Sequence, residues 1–124
     1  MVNDITMENM QPGGMPEDDD MHVVMFYGTT CGPCKATMPH YEATSEFFEE
    51  RGARIKFHRI DAWNPPEQAK YVKEVWKVEG VPNFKAFFRS QVVEEKKGGG
   101  REENLKIFVH NAIDNVYKKF GEKI

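Results

Sequence analysis

Cys31 and Cys34 are the only cysteines in the chain, and two residues separate them. They follow an apolar run, His22–Tyr27, of the kind expected for a strand buried on both faces, and a helical pattern follows them. A strand that delivers a Cys-x-x-Cys pair to a helix N-terminus favours redox chemistry. That helix end presents unpaired N–H groups and a positive dipole, which together stabilise an anion. We therefore predict that Cys31, just ahead of the first turn, is the attacking thiolate and that Cys34, within that turn, is the resolving thiol.

The two residues between the cysteines fit the same interpretation. Gly32 carries no side chain, so the backbone of a substrate can approach the pair closely. Pro33 suits the first turn of a helix, because the N–H group that it lacks is not needed there. The motif therefore predicts a dithiol that a substrate can reach.

A zinc site is the main chemical alternative for such a pair. Structural zinc needs four ligands, and the chain offers only four histidines besides the cysteines. Neither the spacing from Cys34 to His40 nor the spacing from His40 to His58 matches that of a zinc finger. The histidines are interpreted as ordinary side chains, partly exposed or hydrogen-bonded. Redox chemistry is favoured, with zinc binding and inert core cysteines as the alternatives.

The composition limits the class of protein. With 124 residues and 40% hydrophobic residues, the chain is expected to form one domain over residues 1–124. A net charge of −3 argues against nucleic acid or an anionic membrane as the main partner. The sequence contains no long apolar segment and no basic start followed by one, so neither a membrane span nor an export signal is expected. A reducing, cytoplasmic setting is the resulting expectation, and there a lone cysteine pair is more often catalytic than structural.

Hydrophobic periodicity predicts an α/β fold with a mixed sheet flanked by helices. Residues 1–20 are expected to hold a short strand within Val2–Met10, then a Pro/Gly segment that opposes a helix and an acidic loop. The remaining elements are predicted as strand His22–Tyr27, helix Lys35–Arg51, strand Ala53–Asp61, a helix from Asn64 to about Val78, strands Asn83–Phe88 and Val92–Lys97 joined by a turn at Arg89–Gln91, and a helix from Arg101 to about Phe120.

The stretch around the cysteines resembles the active site of the thioredoxin family. The resemblance covers residues 22 to about 120 and rests on Phe26-Tyr27, Cys31-Gly32-Pro33-Cys34-Lys35, Pro39, Ile60-Asp61, Gly80-Val81-Pro82, Gly98 and Leu105. It implies the thioredoxin fold, here with the N-terminal helix reduced or absent.

The resemblance also implies a substrate groove. In proteins similar to this one, Pro82 follows a cis peptide bond and lies against the cysteines, and Val81 pairs through its backbone with an extended substrate peptide. Gly98 would line the same groove, and Thr30, Gly32 and Pro33 would contact the substrate beside the dithiol. A rigid turn at Pro82 and a loose bend at Gly98–Gly100 are the purely structural alternatives.

Four positions depart from the family pattern. Met25 stands where thioredoxins carry a buried aspartate, and Phe57 stands where they often carry its lysine partner. Thr30 replaces the tryptophan that precedes the first cysteine, and Lys97 replaces an apolar groove residue. Met25 and Phe57 are expected in the core. Without the aspartate, the step that deprotonates the resolving cysteine is expected to limit turnover.

The resemblance implies a protein dithiol–disulfide oxidoreductase that acts as a reductant in electron transport and cell redox homeostasis. Its expected partners are disulfide-containing proteins and a recycling thioredoxin reductase, and it is expected to act as a monomer without a cofactor. Two alternatives remain open. One is an oxidant or isomerase of protein disulfides, and the other is a scaffold subunit that does no redox work.

Overall fold

A five-stranded mixed sheet carries helices on both faces. The computed structural model describes residues 1–124, and the strands lie in the order β1-β3-β2-β4-β5. The strands are β1 Val2–Ile5, β2 Met21–Tyr27, β3 Ile55–Asp61, β4 Asn83–Phe88 and β5 Gln91–Lys97, and the helices are α1 Gly32–Glu50, α2 Pro66–Val75 and α3 Glu102–Phe120. Strand β3 runs parallel to β1 and to β2, whereas β4 is antiparallel to both β2 and β5. The predicted fold class and element order are confirmed.

Strand β2 lies at the centre of the sheet, and its side chains alternate between two cores. Val23 and Met25 belong to the larger cluster, which includes residues of α1 and α3. Val24 and Phe26 belong to the smaller cluster, which includes Trp76 just beyond α2. Both faces of β2 are therefore dry, as its continuous apolar run predicts.

The N-terminal segment covers part of the sheet without forming an α-helix. After β1, only residues Met7–Asn9 form a short 3₁₀ helix. Met10 and Met15 from the following Pro/Gly segment are buried in the smaller cluster. The expected reduction of the N-terminal helix is confirmed, and two methionine side chains contribute the apolar cover in its place.

Most element ends lie within one or two residues of the predicted ones, and three differences have a clear physical reason. Helix α1 begins at Gly32 and not at Lys35, because Cys31 already acts as its N-cap. Helix α2 ends at Val75, short of Val78, and Lys77 beyond it adopts a left-handed backbone with φ 59°. The β4–β5 turn needs only Arg89 and Ser90, both with positive φ, as two-residue hairpin loops require.

Two histidines that are distant in sequence come together at the N-terminal end of β2. His22 Nδ1 lies 3.0 Å from His58 Nε2, and both side chains are buried. The other ring nitrogen of His22 lies 3.0 Å from the carboxylate of Asp18. Nδ1 of His58 is buried without a hydrogen-bond partner. The sequence predicts ordinary histidines, partly exposed or hydrogen-bonded, and does not reveal that these two form a pair.

None of the helices combines the length and the apolar composition needed to cross a lipid bilayer.

Candidate active site

The cysteines lie where the central strand passes into α1. Strand β2 ends at Tyr27, and the turn that follows is closed by a 3.2 Å hydrogen bond from the Cys31 amide to the Gly28 carbonyl. Cys31 and Cys34 form a disulfide, with their Cα atoms 5.2 Å apart. The two side chains are buried, with 6% of Cys31 and 2% of Cys34 exposed. The slightly more exposed cysteine is the one that precedes the helix.

The start of α1 presents its unpaired N–H groups to the sulfur of Cys31. The Cys34 amide donates to Cys31 Sγ at 3.2 Å, so this sulfur occupies the acceptor position of an N-cap side chain. Pro33 lies in the first turn, where its missing donor costs nothing. Because a helix N-terminus favours negative charge, the arrangement would stabilise a thiolate at Cys31 once the disulfide is reduced.

The space behind the dithiol is apolar. Met25 and Phe57 are buried in the same cluster as both cysteines, together with Phe84. No Asp or Glu side chain is buried anywhere in the chain. Tyr41, also in this cluster, donates from its hydroxyl to the carbonyl of His58 at 2.8 Å, and burial raises the pKa of this phenol well above its usual value. The expected core positions of Met25 and Phe57 are confirmed, and no buried carboxylate serves as a base for Cys34.

The loop before β4 lies beside this cluster. The Val81–Pro82 peptide bond is cis, and Val81 packs against the cluster that contains both cysteines. Neither the amide nor the carbonyl of Val81 makes a hydrogen bond within the chain. The Pro82 carbonyl accepts from the Gly98 amide at 2.9 Å, which brings the two predicted groove segments together. The contact of Val81 and Gly98 with substrate stays a prediction, but a free pair of backbone groups is present where it requires one.

The glycine triplet is packed rather than loose. Gly98 has a φ of +86°, which a residue with a side chain rarely adopts. A Cβ atom at Gly99 would overlap the hydroxyl of Thr37 on α1, and the Gly100 amide lies 3.4 Å from that hydroxyl. The segment is therefore held against both α1 and Pro82, which argues against the simple bend.

Three further predicted site residues are exposed around the disulfide. Thr30, Gly32 and Pro33 all lie on the surface beside it. The side chain that anchors this turn is Thr29, whose hydroxyl donates to Asp61 Oδ2 at 2.6 Å and accepts from Asn64 Nδ2 at 3.1 Å. The turn before the cysteines is thereby tied to the segment that follows β3.

A tryptophan that sequence reasoning missed lies against this turn. Trp63 is 44% exposed, and a Cβ atom added to Gly28 would overlap its indole ring. Asp61 holds the Trp63 backbone by accepting from its amide at 2.8 Å. The signal in the sequence was a large aromatic residue next to Asn64-Pro65-Pro66, where a solvated loop would not require one.

A cleft of about 550 Å³ is lined by Val81, Pro82 and Gly98 together with residues of β4 and β5. Two of its lining residues form an ion pair, in which Lys85 Nζ donates to Glu95 at 2.8 Å. This hydrogen bond is the main reason that the pKa of Glu95 is lowered. Lys97, the departure noted above, lines the cleft with an exposed side chain. The groove edge is therefore charged on this side.

Comparison with known proteins agrees with the geometry. The thioredoxin family profile matches residues 12–111. The chain is 32% identical over 92 residues to a thioredoxin H-type of Fagopyrum esculentum, covering 73% of this chain and 72% of the relative. It is 37% identical over 82 residues to a protein disulfide-isomerase of Drosophila melanogaster, covering 66% of this chain but only 16% of that protein. The match to a chloroplast thioredoxin F-type of Brassica napus likewise spans only 50% of the relative.

Solved structures show the same architecture. Thioredoxin f from spinach chloroplast superposes with a TM-score of 0.69 at 25% identity, over 89% of this chain and 92% of that one. A thioredoxin of Malassezia sympodialis superposes with a TM-score of 0.68 at 21% identity, over 90% and 91% of the two chains. With the profile match, the fold and the paired cysteines in agreement, the chain belongs to the thioredoxin family, and its Cys31 and Cys34 form a disulfide.

Proposed function

We propose that the protein reduces disulfide bonds in other proteins through its Cys31-Gly32-Pro33-Cys34 site. The hydrogen bond from the Cys34 amide to Cys31 Sγ carries this proposal most directly. It makes one sulfur of the pair the acceptor at the helix N-terminus, where a thiolate is favoured. The unpaired backbone of Val81 lies beside the same cluster and offers a strand-like docking edge for a substrate.

The reaction proceeds in two exchange steps. In the dithiol form, the Cys31 thiolate attacks one sulfur of a substrate disulfide, so that the substrate S–S bond breaks and a mixed disulfide forms. The other substrate sulfur leaves as a thiolate and takes up a proton. Cys34 then loses its proton and attacks Cys31 Sγ, which releases the second substrate thiol. Two electrons pass to the substrate, and the Cys31–Cys34 disulfide remains.

The exposed groups around the two cysteines suggest how a substrate peptide binds. An extended peptide that pairs with the amide and carbonyl of Val81 would run past Pro82 and Gly98. Gly32 and Pro33 lie exposed beside the disulfide, and Thr30 precedes it. Pro82 has no N–H to compete for the peptide's carbonyl groups.

The cycle requires an external supply of electrons. A second dithiol protein, a thioredoxin reductase, would attack the Cys31–Cys34 disulfide and return the pair to its reduced form. The reductant role assigns the protein to a reducing compartment, the cytoplasm, where it would act as a monomer and without a cofactor of its own.

The test is an insulin-disulfide reduction assay with dithiothreitol as the electron source. The wild-type protein should accelerate precipitation of the insulin B chain, and Cys31→Ser should not exceed the uncatalysed rate. Tyr117→Ala, which changes an exposed aromatic residue on α3, serves as a matched control and should behave like wild type. A wild-type rate equal to the background would overturn the proposal.

The similarity to a protein disulfide-isomerase favours a second candidate, in which the same site oxidises or rearranges disulfides. The two candidates differ in reduction potential. Equilibration with glutathione, followed by alkylation and mass measurement, should give a value near or below the cytosolic poise of about −220 to −320 mV for a reductant. A value near −180 mV or above would favour the isomerase-type role.

A further inference from the structure

Three serine and threonine hydroxyl groups are buried along α1, and one of them differs from the other two. Thr44 donates to the His40 carbonyl at 2.7 Å, and Ser45 donates to the Glu42 carbonyl at 2.9 Å. The hydroxyl of Thr37 donates to no group of the chain, although this side chain is only 4% exposed. A buried hydroxyl proton without an acceptor costs free energy. Its presence therefore points to an acceptor that exists in another state of the protein.

Thr37 lies one turn after Cys34, on the same face of α1. Residues three apart on a helix have Cβ atoms about 5–6 Å apart, so their side chains can meet. Both of these side chains are buried. In the disulfide form, the Cys34 sulfur is bonded to Cys31 and is a weak acceptor. Once reduction gives a Cys34 thiolate, this sulfur becomes a strong acceptor, because hydrogen bonds to an ionised group are about twice as strong as neutral ones.

The glycine triplet fixes the position of the Thr37 hydroxyl. A Cβ atom at Gly99 would lie 2.2 Å from Thr37 Oγ1, so a side chain does not fit at Gly99 beside this oxygen. The Gly100 amide approaches the same oxygen at 3.4 Å as a donor. Because this amide occupies one side of the oxygen, the hydroxyl proton is directed away from the triplet and back towards α1.

No other side chain of the cluster offers Cys34 a free proton donor or a base. Apart from the cysteines, the titratable side chain in the core of this cluster is Tyr41, whose hydroxyl already donates to the His58 carbonyl at 2.8 Å. Tyr27 is partly buried at the edge of the cluster, and burial raises the pKa of its phenol, so it stays protonated at neutral pH. Lys35, which follows Cys34 in the chain, is exposed.

We propose that the Thr37 hydroxyl donates a hydrogen bond to the Cys34 sulfur in the reduced protein and stabilises the thiolate that resolves the mixed disulfide. The inference rests on the proposed reductase function, since it concerns the second exchange step. The Cys34 thiol gives its proton to solvent or to the first substrate thiolate, and Thr37 keeps its own proton. The Cys34 thiolate then bonds to Cys31 Sγ, the bond between Cys31 and the substrate breaks, and the substrate sulfur leaves as a thiolate that takes up a proton.

A titration of Cys34 tests the hydrogen bond without any substrate. In a Cys31→Ser background, Cys34 is the sole thiol, and its ionisation can be followed by the ultraviolet absorbance of the thiolate. Thr37→Val keeps the shape of the side chain and removes the hydroxyl, so it should raise the pKa of Cys34 by about one unit, as expected for the loss of one hydrogen bond to a charged group. Thr37→Ser should keep the parent value, and so should the matched control Thr44→Val. An unchanged pKa in Thr37→Val would overturn the proposal.

The reaction of the reduced protein with dithiobis(nitrobenzoate) separates the two exchange steps in one stopped-flow trace. Attack by Cys31 releases the first thionitrobenzoate, and attack by Cys34 on the mixed disulfide releases the second. At pH 7, Thr37→Val should slow the second release about fivefold, since the lower thiolate fraction is partly offset by a more nucleophilic thiolate. The first release should not change, and Thr37→Ser should behave like wild type. At high pH, where Cys34 is ionised without help, Thr37→Val should no longer be slower.

The outcomes distinguish this role from a structural one and from the proposed function. Equal slowing of both releases would show that Thr37 only supports the fold around the dithiol and would overturn the proposal, as would an unchanged second release. Neither the titration nor the stopped-flow trace requires a protein substrate. Failure of insulin reduction, with the effects of Thr37→Val as expected, would therefore count only against the proposed function.

Discussion

The two ends of β2 are packed against side chains of different chemical types. At the C-terminal end, the space behind the dithiol is filled by Met25 and other apolar side chains. At the N-terminal end, the rings of His22 and His58 stack with centroids 5.2 Å apart and planes 15° apart, and Asp18 contacts the outer nitrogen of His22. The end that is predicted to carry out proton-dependent chemistry has no buried carboxylate, whereas the opposite end has a buried pair of titratable rings.

This difference indicates that pH acts on the fold and on the reaction through separate groups. A buried histidine pair at one end of a strand can affect the stability of the fold without contacting the dithiol, because the sulfur atoms lie at the other end. The apolar end must exchange protons with solvent or with the departing thiolate. A change at one end should therefore leave the other end unaffected.

The largest effect is expected from the dithiol itself. Cys34→Ser should stop turnover completely and accumulate a mixed disulfide with substrate on Cys31, since no second thiol remains to release it. Non-reducing mass spectrometry after exposure to insulin would detect the adduct. Cys31→Ser should form none, and an adduct on Cys34 of that variant would reverse the assignment of attacking and resolving thiols. The unfolding midpoint should depend on pH in the same way for both cysteine variants and for the reduced wild type, because the histidine pair is unchanged.

Met25→Asp introduces a carboxylate into the apolar end. Burial of an unpaired charge should lower the free energy of unfolding at pH 7 by about 4 kcal/mol, as measured by urea denaturation. The same carboxylate could accept the proton of Cys34, so decay of the mixed disulfide should accelerate in a stopped-flow experiment. Met25→Leu is the matched control and should change neither property by much. Unchanged decay in Met25→Asp would show that this side chain is too far from Cys34 to act as a base.

The histidine end should determine the acid stability. Burial, with the positive charge that His22 and Lys56 contribute nearby, lowers the pKa of His58 to about 4. Asp18, the one acidic group facing the pair, opposes this shift. A group whose pKa is lower in the folded than in the unfolded state binds protons more readily when unfolded, so stability falls as the pH decreases. The loss should begin near pH 6.5, where an unfolded histidine titrates, and reach about 3 kcal/mol near pH 4.

His58→Phe separates this contribution from other titrations. Denaturation curves between pH 7 and pH 4 should be flatter for the variant than for wild type, whereas the relative rate of insulin reduction at pH 7 should be the same. An identical pH slope in both proteins would show that the buried ring does not control acid stability. A change in the pH profile of turnover would show that the two ends of β2 are coupled.

Asp18→Asn should have the smallest effect. The pKa of Asp18 is lowered because the Asp20 amide and His22 together outweigh the effect of burial. The carboxylate therefore stabilises the fold above its unfolded pKa near 3.9, and removal should cost about 1 kcal/mol or less at pH 7, because the group is largely exposed. Lys118→Met, which breaks an exposed ion pair with Asp114 on α3, is the control for a general loss of surface charge. An effect larger than that of His58→Phe would contradict this ranking.

Local sequence was sufficient to predict the order of elements and the position of the dithiol. The apolar run of β2, the helical period of α3 and the pattern of Cys31 to Cys34 each lie within one element and do not depend on distant contacts. The contact of His22 with His58 depends on the register of two strands. The ladder pairs His22 with Lys56 and Val24 with His58, so the two rings meet only diagonally, which no local pattern reveals.

Trp63 and the end of α2 were hidden for related reasons. The position of the indole ring depends on Asp61 and on a glycine more than thirty residues earlier, so its meaning appears only in three dimensions. Helix α2 ends before Lys77, which adopts a left-handed backbone that intrinsic propensity disfavours for lysine. In both places, tertiary packing determines the conformation, and the local sequence preference either does not favour that conformation or opposes it.

The hydrogen bonds around the glycine triplet bear on the entropy of substrate binding. The Gly98 amide donates a hydrogen bond to the Pro82 carbonyl, and the Gly100 amide contacts Thr37 on the helix that carries Cys34. Three segments far apart in sequence therefore form one rigid surface before any partner arrives. A substrate that docks there orders few of the protein's own residues, so most of the contact energy is available for affinity and little is consumed in fixing loops. The flexible component of the encounter is then the partner, which favours disulfides in segments that can extend.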